Sequence, residues 1–249
     1  VSAVILALAA GAVIGLALGA LGGGGSVLAV PALIYLLGFS PVAATTASLV
    51  IVSVTSATAL SAHAREGHVR WRTGLLFAAA GIGPAMLGGA LAGHLPAAPL
   101  TVAFALVAGA AAVRMLRPRS DGGDTVPVRR GRAAAAGAGL GAVTGVLGVG
   151  GGFLAVPALV GVLGMRMRAA VGTSLLVITV NSLAALAMRA STAGGLDWAV
   201  TGPFAAAAIL GAWDGKRLSA RISGPALQRI FAVVLLAVAG LMLVDAVVR

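Results

Sequence analysis

The sequence predicts an all-α, polytopic transmembrane protein built from two inverted repeats, and three observations carry that prediction. Of its 249 residues, 60% are hydrophobic and only 9% charged, whereas a soluble domain is roughly a quarter charged. Apolar runs of about 20 residues, long enough to cross a hydrocarbon core of ~30 Å as helix, recur along the chain. The second half of the chain also repeats the first in one register. Such runs must be helices, because a strand edge facing lipid leaves backbone groups unpaired. The 37 glycines fit the same reading, since small residues let membrane helices approach closely and let some of them break.

The apolar runs lie near 2–20, 27–37, 42–62, 73–93 and 98–116, then 132–147, 153–164, 169–189, 199–213 and 225–247. Between the two sets, the stretch from Arg117 to Arg132 carries Pro118, Gly122, Gly123, Pro127, Asp121 and Asp124 among several arginines, which is linker composition. The expected organisation is an N-terminal repeat over 1–116, a linker over 117–131 and a C-terminal repeat over 132–249. The first run lacks a basic leading region and a convincing cleavage site, so it is read as part of the fold and not as a signal peptide.

A shift of 126 residues lays Gly19–Gly25 over Gly145–Gly151 and Leu28–Leu33 over Leu154–Leu159, matching Pro31 with Pro157. Ser48 then falls on Ser174 and Ser56 on Ser182. Scattered Ala and Leu matches could come from low complexity, but prolines, glycine clusters and hydroxyls in one register require duplication.

Basic residues in short loops favour the cytoplasmic side. The linker, the loop with Arg65, Arg70 and Arg72, the pair Arg166 and Arg168, and the group Lys216, Arg217 and Arg221 are therefore assigned inside. The loops near Ser40, Leu95 and Gly194 fall outside. Equivalent loops then face opposite sides, which makes the repeats inverted. In this scheme the pair of runs from Arg132 to Leu163 enters and leaves on one side as a re-entrant hairpin. Its counterpart, Ser2 to Leu37, has a longer first arm and either re-enters or crosses twice. Each repeat is thus a glycine-rich broken or re-entrant hairpin plus three spanning helices.

The glycine bends are the expected functional centre. Gly22, Gly23, Gly24 and Gly25 lead into a helix at Ser26, and Gly148, Gly150 and Gly151 lead into one at Gly152. A helix start presents unpaired N–H groups and the positive end of its dipole, so it holds an anion without a formal charge. Two such bends from inverted repeats are expected to meet near the midplane. The neighbouring donors are Thr46 and Ser48 in one half and Thr173, Ser174 and Asn181 in the other. Uncharged donors suit an oxyanion because they are cheap to bury when the site is empty. His63 and Arg189 occupy equivalent positions and read as end charges reaching toward water. Asp214 and Asp245 read as interfacial.

The pattern Gly-x-Gly-Gly-x-x-x-x-x-Pro-x-Leu, present as Gly22–Leu33 and again as Gly148–Leu159 and followed by Gly172-Thr173-Ser174-Leu175, resembles the TauE/SafE family of sulfite and sulfonate exporters. The resemblance covers nearly the whole chain. It implies ATP-independent export of sulfite, sulfoacetate or a related small anion. Ala47 stands where the second copy has Thr173, and Trp213-Asp214 interrupts a stretch that is usually small and apolar.

Other classes find little support. Cysteine is absent, so there is no disulfide, thiolate nucleophile or thiol metal site. No Walker loop, Gly-x-Ser-x-Gly elbow or helical zinc pair appears, so no enzyme and no cofactor are expected. The formal charge of +11 resides in short basic clusters between apolar runs without aromatic interleaving, which argues against nucleic acid. The expected partners are a small anionic substrate and the lipid bilayer of the inner membrane, with a homodimer left open. The topology is directly testable on this cysteine-free background. In intact cells an impermeant thiol reagent should label Gly194→Cys and leave Gly122→Cys unlabelled; the reverse pattern would remove the inverted-repeat argument.

Overall fold

Backbone amides in lipid need internal partners, and here helices supply them. The computed structural model describes residues 2–92, 97–116, 130–146, 152–188 and 197–248. Among these residues there are ten helices and no strand: α1 (Ser2–Leu21), α2 (Gly24–Tyr35), α3 (Pro41–Arg65), α4 (Trp71–Ala92), α5 (Ala97–Leu116), α6 (Arg130–Val146), α7 (Gly152–Gly161), α8 (Met167–Met188), α9 (Trp198–Arg221) and α10 (Gly224–Val248). The linker core at 117–129 lies outside the described residues.

Five helices in each half follow the same order, and the ends of α2 and α7 repeat in atomic detail. The short helices α2 and α7 stop at Gly38 and Gly164, both left-handed at φ 70° and 68°. Beyond each glycine one amide reaches back to close the helix: Phe39 N–H to the Leu33 carbonyl at 3.0 Å and Met165 N–H to the Leu159 carbonyl at 3.1 Å. That is a glycine C-terminal cap made twice. Ser40 then caps α3, accepting from the Ala43 N–H at 3.4 Å, with Pro41 in the first turn where its missing N–H is harmless.

Four described helices contain stretches long and apolar enough to cross a membrane: Val4–Leu21, Ala43–Arg65, Met167–Ala187 and Gly224–Val244. By contrast α2 and α7, with 12 and 10 residues, reach only about 18 and 15 Å. Each half therefore carries a hairpin with one short arm. One boundary differs from the sequence expectation. The run read as ending at 213 continues as α9 to Arg221, because nothing between Trp213 and Arg221 breaks a helix and long basic side chains can reach water from its end. The helix stops where Arg168 donates to the carbonyls of Ala220 and Ile222, each at 3.2 Å.

The main helix pairs are α1 with α9, α4 with α6, α5 with α10 and α3 with α8, and exchanging the two halves maps this set onto itself. The first two pairs are parallel and close. A Cβ on Gly11, Gly15 or Gly19 would lie 2.4, 2.0 or 2.0 Å from the carbonyl oxygens of Phe204, Ala208 and Ala212, and one on Gly137 or Gly141 would lie 2.2 or 2.1 Å from those of Phe77 and Gly81. Equivalent contacts on α1 and α6 are 126 residues apart (141 − 15), whereas those on α4 and α9 are 127 apart (208 − 81). One extra residue has been absorbed before α9. Phe77, Phe204 and Phe231 fill the largest buried positions on either side of the central pair α3 and α8.

Without a hydrophobic force between helices in lipid, this close packing is the main adhesive. Gly15→Leu and Gly141→Leu should therefore force the helices apart and destabilise the fold by at least the ~1–3 kcal/mol typical of overpacking. Gly240→Ala, with nothing within 4 Å of its added carbon, should stay within about 0.5 kcal/mol of wild type. Thermal unfolding in detergent reads the difference.

Candidate functional site

The helix α1 ends because Gly22 turns left-handed, φ 70°, after its N–H has made one last bond to the Leu18 carbonyl at 2.8 Å. The next helix starts two residues later, with Gly23 at its N-cap and no side-chain cap. A Cβ at Gly22 would lie 2.5 Å from Ser174 Oγ and 3.2 Å from the Val171 carbonyl. Only glycine permits both this turn and its seat on α8.

Thr173 and Ser174, at that seat, are fully buried. Thr173 Oγ1 accepts the Arg70 N–H at 3.1 Å, which leaves its hydroxyl hydrogen to donate elsewhere. Ser174 Oγ donates to the Val171 carbonyl at 2.8 Å, and its counterpart Ser48 donates to the Thr45 carbonyl at the same distance. Between them Ser56 Oγ and Thr179 Oγ1 share a hydrogen bond of 2.9 Å across α3 and α8. These helices run antiparallel, since the α3–α4 connection also meets the start of α8: a Cβ on Gly172 would lie 2.8 Å from the His68 carbonyl.

The candidate residues therefore form a seam and do not gather at one point. From Ser48 to Ser56, then from Thr179 to Ser174, is 8 + 5 residues, or about 20 Å at 1.5 Å per residue. Gly22, Thr173 and Ser174 stand together at one end, with Thr46 and Ser48 toward the other. Gly24, Gly25 and Ser26 form the first turn of α2, and Gly152 starts α7. Gly148, Gly150 and Gly151 lie outside the described residues, as does Arg189.

Five buried side-chain atoms among the described residues have no hydrogen-bond partner: Ser53 Oγ, Thr55 Oγ1, Asn181 Oδ1, Thr201 Oγ1 and His63 Nδ1. Thr55 and Asn181 are equivalent in the 126-residue register. Buried polar groups are normally paired, so this repeat-related pair of exceptions on α3 and α8 is a candidate for binding. His63 departs from the sequence expectation. Instead of reaching toward water it is 4% exposed, with Nε2 3.3 Å from the Gly19 carbonyl. Its place near a run's end hid this, because a helix apolar on every side gives no periodicity to show which face is buried. Asp214, as expected, is exposed and faces Arg217 at 3.6 Å.

Outside the α3 span, Glu66 joins the α3–α4 connection to α9 by bonding the Lys216 ammonium, and its other oxygen lies 3.4 Å from His68 Nδ1. The hydrogen bond to Lys216 holds the Glu66 carboxyl below its ordinary range. A separate cavity of about 430 Å³ between α5, α6 and α7 is walled by Val107, Leu140, Val143, Leu154 and Val160, with Arg114 at its edge. None of the seam hydroxyls lines it. No group of three metal-ligating side chains occurs among the described residues.

The model of the sulfite exporter TauE/SafE family matches residues 7–242. The chain belongs to the TauE/SafE family. Membership, with its apolar helices, makes it a multi-pass membrane protein of a transporter family. Two curated relatives, from Xylella fastidiosa strains Temecula1 and 9a5c, are each 34% identical over 247 residues, covering 96% of this chain and 94% of their own length; both are named probable membrane transporter proteins. No solved structure matches.

The Glu66–Lys216 pair gives a pH test. A carboxyl whose folded pKa is depressed stabilises above its unfolded pKa, and that contribution is lost as pH falls through the folded value. Glu66→Gln should lower Tm at neutral pH by a few degrees at most, because an exposed pair contributes ~0–1 kcal/mol. The gap to wild type should close on acidification.

Proposed function

We propose that this protein is a secondary transporter exporting a small oxyanion of sulfur, either sulfite or an organosulfonate such as sulfoacetate, across the inner membrane. The observation that carries this reading is the pair of buried hydroxyls left unpaired on α3, Ser53 and Thr55, together with a helix start on α2 that has no side-chain cap. Oxyanions are held by such donors and by helix N-termini. The family's description names sulfite, and the Xylella relatives are named as transporters. No nucleotide-binding loop is present in the sequence, which favours coupling to a gradient.

In this reading the antiparallel packing of the equivalent helices α3 and α8 supports an inverted repeat, with the linker in the cytoplasm and the basic ends of α3 and α9 beside it. The Gly22 bend, seated on Ser174 at one end of the seam, then acts as a gate on that side. The anion passes along Thr46, Ser48, Thr173, Ser174 and Asn181. Access on that side opens if the Gly22 bend withdraws from Ser174.

Purified protein in liposomes tests the proposal with labelled sulfite and sulfoacetate. Thr173→Val keeps the shape and removes the donor, and a lost hydrogen bond to a charged ligand is worth ~1.5–3 kcal/mol, or roughly 10- to 150-fold in affinity. Asn181→Leu should weaken transport similarly. Thr58→Val, at an exposed hydroxyl bonded to its own helix, should leave flux unchanged. Wild-type flux of neither anion, or donor variants indistinguishable from Thr58→Val, would overturn the assignment.

A further inference from the structure

The seam ends at a titratable group that a path made only of hydroxyls would not need. His63 is 4% exposed, and its Nε2 lies 3.3 Å from the Gly19 carbonyl, three residues before the Gly22 turn that rests on Ser174. A carbonyl only accepts, so this contact requires the hydrogen on Nε2 and leaves Nδ1 of the neutral ring as a bare lone pair. That Nδ1 is buried and has no partner. The ring is thus held at the hairpin tip by one nitrogen while the other is vacant.

The surroundings limit what can fill it. Among the described residues, the charged or titratable neighbours of His63 are His68 and Glu66 from the α3–α4 connection and Lys216 from α9. Glu66 is already bonded to Lys216 and approached by His68. No titratable side chain occurs on α1. The only one on α8 is Arg168, and its guanidinium is turned to the carbonyls of Ala220 and Ile222. Among the described residues a protonated His63 therefore has no dedicated counter-ion. An anion beside Gly22 and Thr173 would supply one.

We infer that His63 is the site at which a proton is carried with the anion: neutral when the path is empty, imidazolium when the anion is bound. This rests on the anion-transport reading above. The proton comes from water on the loading side and forms an N–H bond at the Nδ1 lone pair. On the far side that bond breaks and the proton returns to water; nothing is oxidised or reduced. An anion of charge −2 then crosses as a net −1, and the empty carrier returns with an uncharged ring.

His63→Gln tests this, because the amide can keep the donor to the Gly19 carbonyl but cannot hold a proton. In wild-type proteoliposomes a pH difference of one unit should drive ~10-fold accumulation of labelled sulfite, since one unit acting on one proton is equivalent to a tenfold concentration ratio. In His63→Gln that pH-driven accumulation should vanish, while in His68→Gln it should persist. Accumulation driven equally well in His63→Gln, or absent from wild type that still exchanges sulfite, overturns the inference. A second measurement is independent of transport. In ¹⁵N-histidine-labelled protein in nanodiscs, with His63 assigned by loss of its signal in His63→Gln, the ring should be the neutral Nε2–H tautomer without anion and gain a hydrogen on Nδ1 when sulfite is titrated in at the same pH. Hydrogen on Nδ1 without anion, or none gained at saturating sulfite, overturns it. If wild type moves neither sulfite nor sulfoacetate, the export reading fails, and the proton site is decided by this titration alone.

Discussion

Everything in this molecule depends on how closely two pairs of helix backbones approach. Where α1 lies on α9 and α6 on α4, glycine on one helix faces carbonyl oxygen on the next, leaving no room for a side-chain carbon. Lipid tails are as apolar as leucine, so burying large side chains between helices gains little there, and contact area at short range must do the work. These pairs anchor the long arms of both hairpins. Because α1 is held along Gly11, Gly15 and Gly19 by α9, its broken end is delivered to α8 at a set depth. The Gly22 turn can therefore rest on Ser174 without any side-chain bond to hold it there.

The second element is a polar seam between helices that are each other's repeat. The two ends share one local solution, a serine returning its hydrogen to the carbonyl three residues back. The duplication has nonetheless diverged where chemistry would be expected to matter. Thr173 has become a buried acceptor for the Arg70 amide, whereas its equivalent is Ala47. Asn181 corresponds to Thr55, and His63 to Arg189. Similar backbones thus carry different side chains in the two halves.

The sequence made the helices legible because each must be apolar over its own length, and it made the duplication legible because prolines and glycines fall in one register. The burial of His63 was not legible, since it depends on α1 covering the inner end of α3, a contact spanning 44 residues. The true end of α9 was also hidden. Lys216, Arg217 and Arg221 look like a loop by charge alone, yet straight-chain basic residues are good helix formers, and only the turn at Ile222–Ser223 stops the helix. The seam's 20 Å spread was equally out of reach, because residue spacing along one helix does not say where an antiparallel partner is joined.

Arg168 has a mechanical consequence. Its planar guanidinium bonds the Ala220 and Ile222 carbonyls together, straddling the corner between α9 and α10 from the first turn of α8. The corner cannot open without vacating both bonds at once, so these three helix ends behave as a pinned joint. At the equivalent position in the other half stands Val42, which offers no hydrogen to any carbonyl. Any bond that closes the corresponding corner must come from another residue, so the two repeats do not share this fastening.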